Sequence, residues 1–200
     1  MKLDDEVKNE DYAHDTGTTS CCVLITPTEI YCSNAGDSRA VLCHDNKAYP
    51  LSEDHKPDNP GELDRIERSH HTVEDSRVDG NLALSRAFGD FQYKDAKRMG
   101  PEHQAVTPFP DVTVRKRIDK KDDYIMLACD GIWDCVTNDQ CVEQFSEKYI
   151  KKMKSERRDV SYAVEQLFED ILAPNTDDGI GTDNMTAILI MFKNGKSFSD

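Results

Sequence analysis

Two aspartates stand where apolar runs meet turns. In Ala128-Cys129-Asp130-Gly131 a hydrophobic stretch gives way to a turn, and in Gly181-Thr182-Asp183-Asn184 a turn opens onto a hydrophobic stretch. If the two stretches are neighbouring strands, the carboxylates meet at one sheet edge although they lie far apart in the chain. Adjacent carboxylates repel, and one would hold its proton unless a divalent cation removes the penalty. Oxygen donors of this kind suit Mg²⁺ or Mn²⁺ rather than zinc. A third aspartate, Asp37 in Asn34-Ala35-Gly36-Asp37-Ser38-Arg39, also sits between β-like runs. Asp, Asn and Gly build ordinary turns as well, with Arg39 as a local ion partner for Asp37, so residue type alone leaves both readings open.

Other reactive groups point elsewhere. The seven cysteines include no C-x-x-C pair and no Cys/His zinc spacing. Their odd number and their places inside apolar runs predict reduced, buried thiols and a cytoplasmic or nuclear location. Cys129 adjoins Asp130 but lacks the phosphate loop of a cysteine phosphatase, and it reads as core. The six histidines read as surface or packing residues. A net charge of −14 argues against a broad electrostatic attraction to nucleic acid or anionic lipid, so neither is an expected partner. The start lacks the apolar core of a signal peptide, and no stretch reaches the roughly 20 apolar residues that cross a bilayer.

The elements that must position these groups follow from pattern. Residues 1–16 are acidic and aperiodic and read as a mobile lead-in or the remnant of something upstream. Thr18 to His44 holds three β-rich runs separated by turn residues, which predicts an antiparallel meander. Asn59, Pro60 and Glu62 have the order of a capped helix start, with a short helix to about Arg68. Residues 70–110 are rich in Gly and Pro and read as an irregular excursion. Val112-Thr113-Val114 and Tyr124 to Cys129 read as strands, the second buried on both faces. Thr137-x-x-Gln140 is a capping box before a helix that carries Val142, Phe145 and Tyr149 on one face. A second helix spans Val160 to Ile171 and stops before Pro174, and Met185 to Phe192 reads as a closing strand.

Five segments in order carry a family resemblance: Asn34 to Arg39, Asp54-His55-Lys56-Pro57, Leu82 to Asp90, Ala128 to Asp134, and Thr182-Asp183-Asn184-Met185. Together they resemble the metal-dependent protein phosphatases of type 2C, the PPM family, over about residues 17–193, with 194–200 as a tail. The resemblance implies an α+β fold, a 2C-like β-sandwich of two antiparallel sheets flanked by helices. It implies a two-metal Mg²⁺ or Mn²⁺ centre with Asp130 and Asp183 as ligands, and Asp37 and Asp134 at a third, weaker site. A metal-activated water would then hydrolyse phosphoserine or phosphothreonine in phosphoprotein substrates. Trp133 and Asn184 would fix the turns beside the aspartates, Arg39 and Arg86 would serve ion pairs, and His55 would hold a loop. Gly17, in Thr16-Gly17-Thr18-Thr19, would let the backbone bend into a core strand. Glu62 to Arg77 corresponds to the family's flap, where Ser69-His70-His71 replaces a glycine-containing turn.

The family's Asp-Gly-His-Gly segment, its Glu-Asp pair and its phosphate-binding Arg have no match in the 200 residues, and no histidine matches its general acid. No catalytic residue is therefore assigned, and the fold is expected to lack its N-terminal part. The leading expectation is part of an active phosphatase completed by an N-terminal segment or a regulatory protein, with little activity in this chain alone. The alternatives are a pseudophosphatase acting as a binding scaffold and a fragment with no autonomous role.

Overall fold

The computed structural model describes residues 2–10, 14–177 and 179–193; the tail at 194–200 lies outside the described residues. In chain order the elements are α1 (Lys2–Val7), β1 (Gly17–Thr18), β2 (Ser20–Ile25), β3 (Glu29–Ala35), β4 (Arg39–His44), β5 (Lys47–Pro50), α2 (Pro60–Arg68), β6 (Val73–Glu74), β7 (Arg77–Val78), β8 (Phe88–Gly89), β9 (Asp111–Lys116), β10 (Asp122–Ala128), α3 (Asp130–Trp133), α4 (Asn138–Gln144), α5 (Lys151–Ser155), α6 (Val160–Ile171) and β11 (Ala187–Met191). They pack as two compact units. The first comprises Met1–Cys22, Ser33–Ser38 and Glu53–Val112; the second comprises Val23–Cys32, Arg39–Ser52 and Thr113–Asp200.

The second unit is organised by β10. Its apolar run is buried at every position except a half-buried Asp123, as expected for a strand flanked on both edges and covered by helices. The antiparallel sheet has the order β11-β10-β4-β5, and Ala128 faces Ala187 on one side and Arg39 on the other. Its first residue, Asp122, is a buried carboxylate whose charge is met by His44 Nδ1 at 2.8 Å, the Ile118 N–H at 2.7 Å and Arg115 at 3.3 Å. Helices cover this sheet through Cys141, Val142, Phe145, Tyr149, Met153, Ala163 and Leu167, which share one core cluster with Tyr124, Met126, Ala128 and Trp133.

The capping box forms as the pattern predicts: Thr137 Oγ1 accepts from Gln140 N, and Gln140 Oε1 accepts from Thr137 N. Between α4 and α5 the helix widens to a π-helical stretch, Phe145–Ile150. That wider turn brings both Tyr149 and Ile150 to the buried face, which a 3.6-residue period does not anticipate.

In the first unit, Ile66, Val78, Ala87, Tyr93, Ala105 and Val106 form a separate core. The hairpin β6–β7 and the two-stranded ladder β1–β8 give order to the excursion at 70–110. Gly17 is required there by close approach: a Cβ on it would lie 2.8 Å from the Phe88 backbone oxygen and 1.9 Å from Asp90 Oδ2.

Three expectations are corrected. The acidic lead-in carries α1, and its Asp4 is buried with its carboxylate on the Gly89 N–H and on Lys94 Nζ, both at 2.9 Å. Charge pairing supplies the order that apolar periodicity does not. Thr18 to His44 is not a meander, because β3 joins β2 and β9 in a three-stranded sheet while β4 joins β10 and β5. Gly36, at φ +112°, sits between them, where a Cβ would strike Thr19 Cγ2 at 2.4 Å. Asn59 precedes α2 without capping it, because its side-chain amide donates to Asp54 O at 2.8 Å instead.

Candidate metal centre

Strand pairing decides which aspartates meet. β10 and β11 run antiparallel, so the end of β10 and the start of β11 lie at one edge, where Asp130 follows the first strand and Asp183 precedes the second. The ladder continues past the strands through Cys129 N–H to Thr186 O at 3.1 Å. Gly131 and Asn184 are in such close backbone contact that a Cβ on Gly131 would lie 2.3 Å from Asn184 O and 3.6 Å from Asp183 Cβ. The two turns are pressed together at this glycine.

The sulfur of Cys129 ties the same turns, which corrects its assignment to the core. Cys129 is half-exposed, its S–H donates to Asn184 O at 3.3 Å, and Sγ accepts from the Thr186 N–H at 3.2 Å. Nor are the other thiols uniformly buried: Cys32, Cys43 and Cys141 are, whereas Cys22 is exposed. Burial pushes the Cys141 thiol up to about 12, which removes it as a thiolate nucleophile near neutral pH.

Asp130 opens α3 and Asp134 closes it, with the Asp134 N–H on Asp130 O at 2.8 Å, so the pair sits one helical turn apart. Asp130 Oδ1 accepts from the Gly131 N–H at 2.9 Å, and Asp183 Oδ1 accepts from the Asn184 N–H at 2.7 Å. Each carboxylate thus uses one oxygen to hold its own turn. The donor chemistry fits a hard divalent cation in kind. In number it is incomplete: among the described residues no group of three or more His, Cys, Asp or Glu side chains is close enough to hold a metal ion.

Asp37 belongs to the first unit, where it is buried and paired with Lys56 Nζ. Arg39 donates to Asn138 Oδ1 at 2.8 Å with its guanidinium 5.1 Å from the Trp133 ring centroid. His55 holds a loop: its Nδ1 accepts from the Gly36 N–H at 3.1 Å, leaving Nε2 to donate to Asp111 Oδ2 at 3.1 Å. Arg86 serves ion pairs, to Glu62 at 2.7 Å and Asp111 at 2.8 Å.

In the flap region, His71 is more than a surface residue. Its Nδ1 meets Asp79 Oδ2 at 2.7 Å and its Nε2 meets Asp95 Oδ1 at 3.2 Å. Burial works against the charged ring, but hydrogen bonds and charge from the two carboxylates outweigh it and raise the imidazole above its ordinary value. Its spacing from Asp79 and Asp95 carries no periodic signal, so sequence reading misses the clamp.

Comparison with known proteins gives the chain its family. The family model "Protein phosphatase 2C" matches residues 1–180, which takes in the acidic lead-in. The chain is 42% identical over 191 residues to probable protein phosphatase 2C 60 of Arabidopsis thaliana, covering 95% of this chain and 52% of that protein. It is 41% identical over 199 residues to protein phosphatase 2C homolog 2 of Schizosaccharomyces pombe, covering 99% of this chain and 52% of the relative. A crystal structure of a phosphatase from a pathogenic strain of Toxoplasma gondii superimposes with a TM-score of 0.69 at 33% identity, covering 84% of this chain and 50% of that one. The chain spans about half the length of the curated relatives it matches. On the breadth of the family match and the α+β arrangement of helices and sheets, the chain belongs to the protein phosphatase 2C family.

Proposed function

We propose that this chain carries part of the catalytic centre of a metal-dependent protein serine/threonine phosphatase acting on phosphoserine and phosphothreonine in proteins. The observation that carries the reading is the contact of the two aspartate turns at Gly131 and Asn184 in a chain of this family. Asp130 and Asp183 would hold Mg²⁺ or Mn²⁺, and Asp134 would serve a further, weaker site. A cation held there supplies Lewis-acid activation of water and neutralises charge on a phosphoryl group. The residues of the chain do the positioning: Gly131 permits the close approach, Cys129 joins the turns, and the Asp130 and Asp183 carboxylates each fix their own turn through a backbone N–H. Incomplete donor number is consistent with further ligands supplied by another segment.

Phosphate release from a phosphothreonine peptide tests the reading. Turnover by this chain is expected to be slow, to require Mn²⁺ or Mg²⁺, to vanish with a chelator, and to fall on the order of a hundredfold in Asp130→Asn. Turnover that survives chelation, or that Asp130→Asn leaves intact, contradicts it.

A further inference from the structure

Asp130 and Asp134 ride on α3, a helix of four residues that is too short to be stable by itself. Its attachment to the sheet runs through Trp133. The buried indole donates Nε1–H to Ala128 O at 2.8 Å, pinning the turn to the last residue of β10. Arg39 stands directly opposite Ala128 in the β4–β10 ladder. From there its guanidinium covers the Trp133 ring at 5.1 Å and donates to Asn138 Oδ1 at 2.8 Å. One side chain on the sheet therefore grips both the end of α3 and the first residue of α4. Because Asp134 N is bonded to Asp130 O, the turn shifts as a unit if that grip is lost.

We propose that Arg39 is a positioning residue for the cation site: by clamping Trp133 against the end of β10 it sets where Asp130 and Asp134 stand relative to Asp183. The proposal rests on the reading of these aspartates as cation ligands. A planar guanidinium is needed for the role, because it stacks on the indole and donates sideways to Asn138 at the same time. Lysine keeps the charge but has neither the flat face nor the fork.

The chain contains a single tryptophan, so its fluorescence reports on Trp133 alone. Mn²⁺ is titrated into the wild-type chain, Arg39→Lys and Arg39→Met, with free Mn²⁺ followed by electron paramagnetic resonance and Trp133 by emission, and thermal unfolding is recorded in parallel. Ala163→Gly, which loosens α6 without touching Arg39 or its hydrogen-bond partner Asn138, is the stability control. Both Arg39 variants are expected to bind Mn²⁺ about tenfold more weakly or worse, with emission moved to longer wavelength, and the Lys variant does not rescue. Ala163→Gly is expected to keep wild-type affinity. If Arg39→Met does not fold, Arg39→Lys decides the question. Wild-type affinity in a folded Arg39 variant, or equal weakening in Ala163→Gly, overturns the positioning role alone. A wild-type chain that takes up no Mn²⁺ overturns the cation reading and the role of Arg39 with it.

Discussion

Gly131→Ala is expected to destabilise the chain by about 3 kcal/mol, the upper end of the cost of overpacking a tight site. The new methyl would stand 2.3 Å from a backbone oxygen, Asn184 O, so no side-chain rotation can relieve it. One of the two turns must retreat, and with it either Asp130 or Asp183. The same substitution is therefore expected to weaken divalent-cation binding more than the loss of stability alone would. Urea unfolding with and without Mn²⁺ checks both effects: the wild-type midpoint should rise with the ion and the variant midpoint should not. A variant as stable as wild type would mean that the two turns are not in contact.

Glu62→Gln is expected to cost about 3 kcal/mol at pH 7 and progressively less in acid. Glu62 is buried at the base of the flap region, where its carboxylate accepts from Arg86 at 2.7 Å, Arg65 at 2.8 Å and Ser85 at 2.6 Å. Burial alone would raise its pKa, but the hydrogen bonds from Arg86 and Ser85 and the charge of Arg65 prevail and lower it from 4.5 to about 2. A folded value below the unfolded one means that the unfolded chain binds the proton more readily. The stabilisation is thus complete above 4.5 and is lost as pH falls toward about 2. Unfolding free energies of the two chains at pH 7 and pH 3 should differ by a gap that roughly halves in acid. A gap that is the same at both pH values would show that the ionised carboxylate is not its source.

What the sequence discloses and what it hides divide along physical lines. β10, β11 and the capping box at Thr137 are local patterns of apolar run, turn residue and side-chain reach, and they form where those patterns lie. The nearness of Asp130 and Asp183 needs one step more, the pairing of two apolar strands, and β10 and β11 do pair. Contacts set by sheet order are not legible in this way. The runs between Thr18 and His44 suggest a meander because neighbours in sequence usually pair, yet β3 and β4 join different sheets. The same sheet order carries Arg39 to Trp133 and Asn138, and Asp37 pairs with Lys56 across 19 residues of chain. Asp4 and His71 owe their places to charged partners distant in sequence, Lys94 for the first and Asp79 with Asp95 for the second, and pairs of that kind leave no periodicity to read.

The most direct measurement is anomalous diffraction from crystals of this chain grown with Mn²⁺. An anomalous peak is expected about 2.2 Å from carboxylate oxygens of both Asp130 and Asp183, an oxygen-ligand distance for a small divalent cation, and it should disappear in Asp183→Asn. Full Mn²⁺ occupancy at other carboxylates with nothing between Asp130 and Asp183 would contradict the account.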